Sequence, residues 1–438
     1  MIPKHNRATV RLQDLIRRNR SGDRVGVYAV CSAHPSVIDA AIQQSIDDGS
    51  LLLIESTSSQ VNQFGGYTGQ TPSQFAAFVH SAAQLAGLPE EQVLLGADHL
   101  GPYPWRSEPL DAALRKASEL VRACVLAGYQ KIHLDASMAC ADDGTTGPDE
   151  RTVARRAAIL CRAAESALPE LPSGSGSLLY VIGTEVPAPG GETLPGHPPA
   201  VTPAEQVPRT LSSFRAAFEE QGVSSAWERV IGLVVQPGVE FGENVVFNYD
   251  RQKATALSSA LPKRPSLVYE AHSTDYQSRI ALKQMVEDHF AILKVGPWLT
   301  FAFREAVFAL SAIERELLAH KKAMRLSQVR QALEAAMLRN PAYWRSYYHG
   351  SEDDLRLARV YSYSDRCRYY WPDAEVQQEL AHLHANLGAC PPPPALLSQY
   401  FPLQSEAIRC GPQPPDVEGL IREHIRAVLR AYAAACSG

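Results

Sequence analysis

No stretch of the 438-residue chain stays apolar for the roughly 20 residues that a membrane helix needs. The first residues, MIPKHNRATVRLQDLIRRN, are basic but lack the apolar segment of a secretory signal. They predict instead a short amphipathic helix, placed as a lid on a floor of the fold. Eight cysteines are present, yet none forms a C-x-x-C pair. Scattered cysteines in a chain without a secretory signal read as reduced, mostly buried thiols. A net charge of −5 gives no electrostatic footprint for nucleic acid. There is no G-x-x-x-x-G-K-[ST] loop and no glycine-rich strand–turn–helix to cradle the phosphates of ATP. The expectation is a cytoplasmic protein that acts on small molecules, with neither nucleic acid nor membrane as partner.

What the sequence does contain is alternation. Eight short apolar runs recur: VGVYAVC from Val25, LLLIES from Leu51, VLLGAD from Val93, KIHLD from Lys131, LLYVIGTE from Leu178, VIGLVVQ from Val230, SLVYEAH from Ser266 and FAILKVG from Phe290. They are too short for helices and lack period-two alternation, as strands buried on both faces do. Helical patterns lie between them, at 35–48, 72–86, 110–127, 149–167, 203–220, 276–288 and 300–317. Pro35, Pro72 and Pro203 stand where a first helical turn tolerates proline. Strand–helix units repeated eight times predict a (β/α)8 barrel. A doubly wound open sheet would show fewer units and a nucleotide loop.

Strand signals stop near residue 320, so the expected division is a barrel over 1–320 and a helical C-terminal extension over 321–438, packed on the barrel. The proline- and glycine-rich stretch from Val186 to Pro203 follows the fifth strand. It therefore overhangs the face where such barrels keep their chemistry, and loops of that length there are often lids.

The strand ends on that face are rich in ligand-type residues: His34, Glu55, Asp98 and His99, His133 and Asp135, Glu185, Gln236, Glu270 and His272, and Lys294. A barrel needing only stability has no use for so many acids and imidazoles there. The Asp98–His99 pair suits metal-assisted proton transfer, with a metal-ligating histidine beside a free carboxylate; the bland alternative is a helix cap beside a packed ring. Glu185 ends an apolar strand and needs a partner, either a metal ion or a cation such as Lys294 or Arg304. His272 can complete a His/His/carboxylate zinc set, or bond Ser273 or Thr274. The expected metal ligands are His99, Glu185 and His272; the expected catalytic residues are Asp98, Asp135 and Lys294. Lys294 is read as orienting substrate rather than as an imine former, and Glu270, deeper in its strand, as structural. Candidate substrate contacts are His34, Gln236, and Gln63, Gly65 and Gly66 of QFGGYTG, whose backbone can approach a phosphate or simply turn. Arg366 and Arg368, which alternate with aromatics in YSYSDRCRYYW, either reach the mouth, where Arg366 would contact substrate, or tie the extension down.

The stretches CSAHPSVIDAA, ESTSSQVNQFGGYTGQTP, GADHLGP, KIHLDASMACADD, VIGTEVPAPGG, VVQPGVEFG, YEAHSTDYQ, LKVGPWLTF and YSYSDRCRYYW resemble the signature segments of the GatZ/KbaZ family, over about residues 7–430. The resemblance implies a class II aldolase-type barrel that serves as a non-catalytic subunit of D-tagatose-1,6-bisphosphate aldolase. It supports a catalytic class II aldolase partner in an oligomer, with a phosphorylated ketohexose or related sugar as ligand. An older label for the family, tagatose-6-phosphate kinase, finds no support in the residues. The more distant resemblance to catalytic class II aldolases assigns proton transfer to Asp98 and zinc ligation to His99 and His272. This sequence departs from them where Gly296 and Trp298 replace an asparagine and a substrate-binding aspartate, and where no histidine follows VVQPGVEFG. The alternatives are therefore a metal-dependent ketose or uronate epimerase using the same site and, third, an aldolase in its own right.

Overall fold

The computed structural model describes residues 7–144, 147–172, 177–184, 198–321, 324–410 and 416–438. Its strands are β1 (Val27–Val30), β2 (Leu52–Thr57), β3 (Val93–Leu100), β4 (Lys131–Leu134), β5 (Leu179–Gly183), β6 (Val230–Val234), β7 (Glu240–Phe241), β8 (Val246–Phe247), β9 (Val268–Ala271) and β10 (Ile292–Val295). β7 and β8 form a small antiparallel ladder. The other eight close into a parallel barrel in the order β1-β10-β9-β6-β5-β4-β3-β2. Each is one of the eight apolar runs, with its ends displaced by no more than two residues. A helix follows every barrel strand, so the expected (β/α)8 architecture is the observed one. The helix after β6, Arg251–Ser259, had no counterpart in the sequence pattern. It is nine residues long, too short for a clear period, and is marked chiefly by Asp250, whose carboxylate caps Gln252 and Lys253.

The N-terminal helix, Arg7–Arg20, closes the barrel floor. Ala8, Leu12 and Ile16 lie one helical turn apart and enter a buried cluster with Ala29, Leu53, Leu94, Val181, Ile231, Val268 and Ile292, the lower inward residues of the strands. Asn19 fixes the helix by donating to the carbonyls of Val25 and Val286, both at 2.9 Å.

After Leu318 the described elements are all helices and turns. The last helix, Val417–Cys436, returns to the barrel. It packs on the helices Pro35–Asp48, Arg279–Glu287 and Pro297–Leu318 and touches β1, so the ring of helices is completed by the end of the chain. Arg422 pairs with Asp39 at 2.5 Å across this contact. The segment around 365–371 covers the opposite end of the barrel, tied there by Arg304 to Asp365 at 2.8 Å. No helix among the described residues is long and apolar enough to cross a membrane.

Candidate functional site

Above the apolar floor the inward side chains become charged. Glu55 of β2, Lys131 and His133 of β4 and Glu270 of β9 are completely shielded from solvent, and Asp98, His99, Asp135, His272 and Lys294 are nearly so. Burying this many ionisable groups is tolerable only if each meets an opposite charge or a hydrogen bond. Lys131 Nζ lies 2.6 Å from Glu55 and 2.7 Å from Glu270. Lys294 Nζ contacts Glu55, lies 2.8 Å from Asp98 and is 3.5 Å from Glu270. Gly96 makes this layer possible: a Cβ there would come within 2.7 Å of the Glu55 side chain.

The Asp98–His99 pair reaches the interior with both side chains because β3 is irregular. Its register against β4 shifts between Ala97 and Leu100, and His99 adopts a left-handed φ of 49°. A non-glycine residue in that region costs of order 1–3 kcal/mol and is retained where a site needs it. Asp98 accepts from His133 Nδ1 at 2.9 Å, and His99 Nδ1 bonds Asp135 at 2.8 Å. His272, one residue past β9, bonds Glu270 at 3.1 Å. The three imidazole rings form a triangle with centroids 4.9 Å (His99–His272), 5.1 Å (His133–His272) and 5.3 Å (His99–His133) apart.

Electrostatics divides these groups. Burial raises the Asp98 carboxyl, but the charges of His99 and Lys294 and the His133 hydrogen bond outweigh it and hold Asp98 well below the usual carboxylate range. Glu270 is likewise held low, with Lys131 and Lys294 overcoming its burial. Burial works against a charged His99, yet Asp98 and Asp135 raise its pKa. Burial dominates at His272 and lowers it to about 4, leaving a neutral ring at neutral pH. Both lysines stay charged, their burial outweighed by the surrounding carboxylates.

Asp98, His133, Glu270 and His272 each offer a donor atom within 4.8 Å of the others. His133 Nε2 is buried without a hydrogen-bond partner. A set of imidazole and carboxylate donors with one free ring nitrogen fits a divalent cation of the zinc type.

The expected site residues fare differently. His99, His272, Asp98, Asp135 and Lys294 are brought together at the mouth, whereas Glu185 lies outside the described residues. Glu270, read as structural, stands among the potential donors instead. Gln236 does not face a ligand; its Oε1 accepts from Gly238 at 2.8 Å and Val239 at 3.0 Å. The glycine turn does not offer a phosphate cradle, because the N–H groups of Gly65 and Gly66 are engaged by Asn62 and Gln63 donates to the Lys116 carbonyl. Arg366 is buried within the cap, stacked on Tyr347 and donating to the Tyr343 carbonyl, and lines neither cavity at the mouth. His34 lines a chamber beside the site, with its ring 4.1 Å from that of Phe303. Sequence reasoning treated two residues here differently: Lys131 was not singled out, and Arg368 was named beside Arg366 only as an arginine that either reaches the mouth or ties the extension down. The alternation of Lys131 and His133 in KIHLD was the available signal for the first, since residues two apart share a strand face.

The mouth cavity, about 80 Å³, is bounded by His99, His272 and Lys294 below and by Tyr67, Tyr103 and Tyr369 above. It adjoins the chamber of about 300 Å³ through Cys31, Gln60, Tyr67, Gly296 and Arg368, which line both.

The sequence model of the family described as D-tagatose-1,6-bisphosphate aldolase subunit GatZ/KbaZ-like matches residues 12–437. The chain belongs to that family. A crystal structure described as a probable tagatose 6 phosphate kinase from Sinorhizobium meliloti 1021 is similar at 43% identity and a TM-score of 0.84, over 94% of this chain and 100% of that one. Fructuronate-tagaturonate epimerase UxaE from Cohnella laeviribosi is 14% identical with a TM-score of 0.44, over 94% and 82% of the two chains. Fructose-bisphosphate aldolase from Campylobacter jejuni is 13% identical with a TM-score of 0.42, over 86% and 91%. At those scores the last two say nothing about the activity of this GatZ/KbaZ-like chain.

Proposed function

We propose that this tagatose-bisphosphate aldolase subunit has a working barrel-mouth site that takes one divalent metal ion, zinc fitting its donors best, and a phosphorylated ketohexose or related sugar. The carrying observation is the charge imbalance of the buried cluster. Glu55, Asp98 and Glu270 face two lysines, Asp135 is matched by His99, and a ring nitrogen of His133 stands free among the potential donors. His133, His272, Glu270 and Asp98 would hold the ion, with His99 adjoining. Such an ion polarises a ketose carbonyl and stabilises charge on its oxygen.

The chain's own groups take distinct parts. A carboxylate held ionised as firmly as Asp98 is a weak base, which suits it to holding a cation rather than to the proton transfer expected of it. His99, oriented by Asp135 and raised in pKa, is the better proton carrier at the mouth. Lys294 neutralises Asp98 and Glu270 and orients oxygen atoms of the substrate. Tyr67, Tyr103 and Tyr369 exclude water above. Trp298 packs against Tyr276, with ring centroids 5.4 Å apart, instead of supplying a substrate-binding carboxylate. That difference favours proton transfer beside a carbonyl, as in epimerisation, over aldol cleavage. The family assignment supports assembly with a catalytic class II aldolase subunit, and we place the contact on the 321–438 extension, outside the 1–320 barrel.

Metal analysis tests the reading. Protein equilibrated with zinc and freed of excess should retain about one ion per chain, and His133→Ala/His272→Ala should retain none while melting cooperatively. Wild-type protein that remains metal-free would refute the proposal.

A further inference from the structure

Among the described residues, nearly every buried cation in the molecule meets a carboxylate. Arg304 meets Asp365, Arg156 meets Asp143, Arg359 meets Glu334 at 3.1 Å, and both interior lysines meet several acids. Arg368 does not. Its guanidinium donates to the carbonyl of Ser364 at 2.5 Å, the carbonyl of Asp365 at 3.1 Å and the hydroxyl of Tyr369 at 2.9 Å, all neutral oxygens. The nearest acid in sequence, Asp365, is already engaged by Arg304 at 2.8 Å and by Thr300 at 2.7 Å. Asp365 and Asp275 act on Arg368 only through space, so this partly desolvated cation has no direct ion-pair partner and can take an anion.

The place of that guanidinium is specific. Arg368 lines both the mouth cavity over His99 and His272 and the adjoining chamber. Two further chamber groups are buried without hydrogen-bond partners: Nδ1 of His34 and Oε1 of Gln70. A chamber of about 300 Å³ holding one unpaired cation and two unsatisfied polar atoms is built for a polar ligand with a negative end.

We propose that Arg368 anchors the anionic end of an open-chain sugar in this chamber, while the sugar's carbonyl end reaches the imidazole cluster. The inference rests on the reading of the mouth as a sugar site and gives that site its specificity. The recognised chemistry is a terminal oxyanion, a phosphate ester or a carboxylate. The planar fork of arginine suits either with two parallel hydrogen bonds. The residue comes from the cap over the barrel, so the segment that shuts the mouth also reads the charge of what is inside.

Calorimetric titration with D-tagatose 6-phosphate, D-tagaturonate and uncharged D-tagatose tests this on the full chain. Wild-type protein should bind one of the two anionic sugars about 10- to 100-fold more tightly than D-tagatose, the range expected of a hydrogen bond to a charged group. Whichever anion shows the preference identifies the oxyanion. Arg368→Gln should abolish the preference with little effect on D-tagatose, and Arg368→Lys should keep part of it. Gln70→Glu sets a carboxylate in the same chamber without removing a packed side chain, and should abolish the preference even if Arg368→Gln fails to fold. An anion preference that survives both Arg368→Gln and Gln70→Glu, or equal binding of all three sugars by the wild type, would overturn the assignment. Metal content measured on the same samples separates the two readings. Loss of anion preference with zinc retained is the result expected of Arg368→Gln, whereas wild-type protein that prefers the anion without binding zinc would sink the metal reading alone.

Discussion

The two ends of one barrel are built from the same eight strands yet obey different rules. At the floor, Ala29, Leu53, Leu94, Val181, Val268 and Ile292 meet Leu12 and Ile16 of the N-terminal helix, and the layer is apolar. Two residues further along, the strands carry Glu55, Gly96, Glu270 and Lys294 inward, joined by Lys131. The floor contributes burial, which is non-directional and tolerant of repacking. The upper layer contributes fixed charges whose mutual pairing stabilises them but whose placement no packing argument requires. Replacing such buried ion networks by apolar groups of similar size is often neutral or stabilising. Their presence here therefore points to chemistry. A larger cavity, about 660 Å³, lies at the floor end between the N-terminal helix and the last helix, away from the titratable cluster; size alone does not mark the site.

The comparison breaks most readily at Lys131. Lys131→Met leaves Glu55 and Glu270 short of a cation and should cost about 3–5 kcal/mol, read from denaturant unfolding. A cost below about 1 kcal/mol would mean that the upper layer is not a tightly paired network. At the other end, Leu12→Ala should cost about 2–5 kcal/mol by leaving a cavity, with zinc retention unchanged. Zinc lost together with stability would show that the two ends are coupled.

Lys131→Met/Glu55→Met sharpens the contrast. It removes a charge pair rather than half of one, and should be more stable than Lys131→Met by about 1 kcal/mol or more. Equal or lower stability of the double variant would assign the cost to packing instead of charge.

These differences explain what the sequence disclosed. The strands were legible because burial on both faces leaves uninterrupted apolar runs. The floor helix was legible because Leu12 and Ile16 repeat at helical spacing. Asp98, His99 and His272 were legible because a polar residue ending an apolar run stands out. Lys131, which opens its strand, was not, and Glu270 was named but read as structural, because only closure of the barrel sets the two against Glu55 and His272. Arg366 and Arg368 were both visible in YSYSDRCRYYW but look alike there, and the turn at Asp365, with φ at 45°, decides which one faces the chamber.

The smallest effect is one of pH. His272 is lowered to about 4 in the folded chain, against about 6.5 when exposed. Between those values the unfolded chain binds the extra proton, so this residue makes stability rise with pH across that window and adds nothing further above it. His99, whose pKa is raised, acts oppositely: its contribution is complete below about pH 6.5 and is lost as pH climbs through the folded value. In metal-free protein, His272→Phe should flatten the stability–pH curve between about pH 4 and 6.5. An unchanged slope would mean that His272 titrates normally.

The most direct measurement is an anomalous difference map at the zinc edge from crystals of the full chain grown with zinc. The account predicts one strong peak among His133, His272, Glu270 and Asp98, about 2.0–2.2 Å from the donor atoms. Crystals that show no peak there, with the four side chains in place and Lys294 still bridging Asp98 and Glu270, would contradict it.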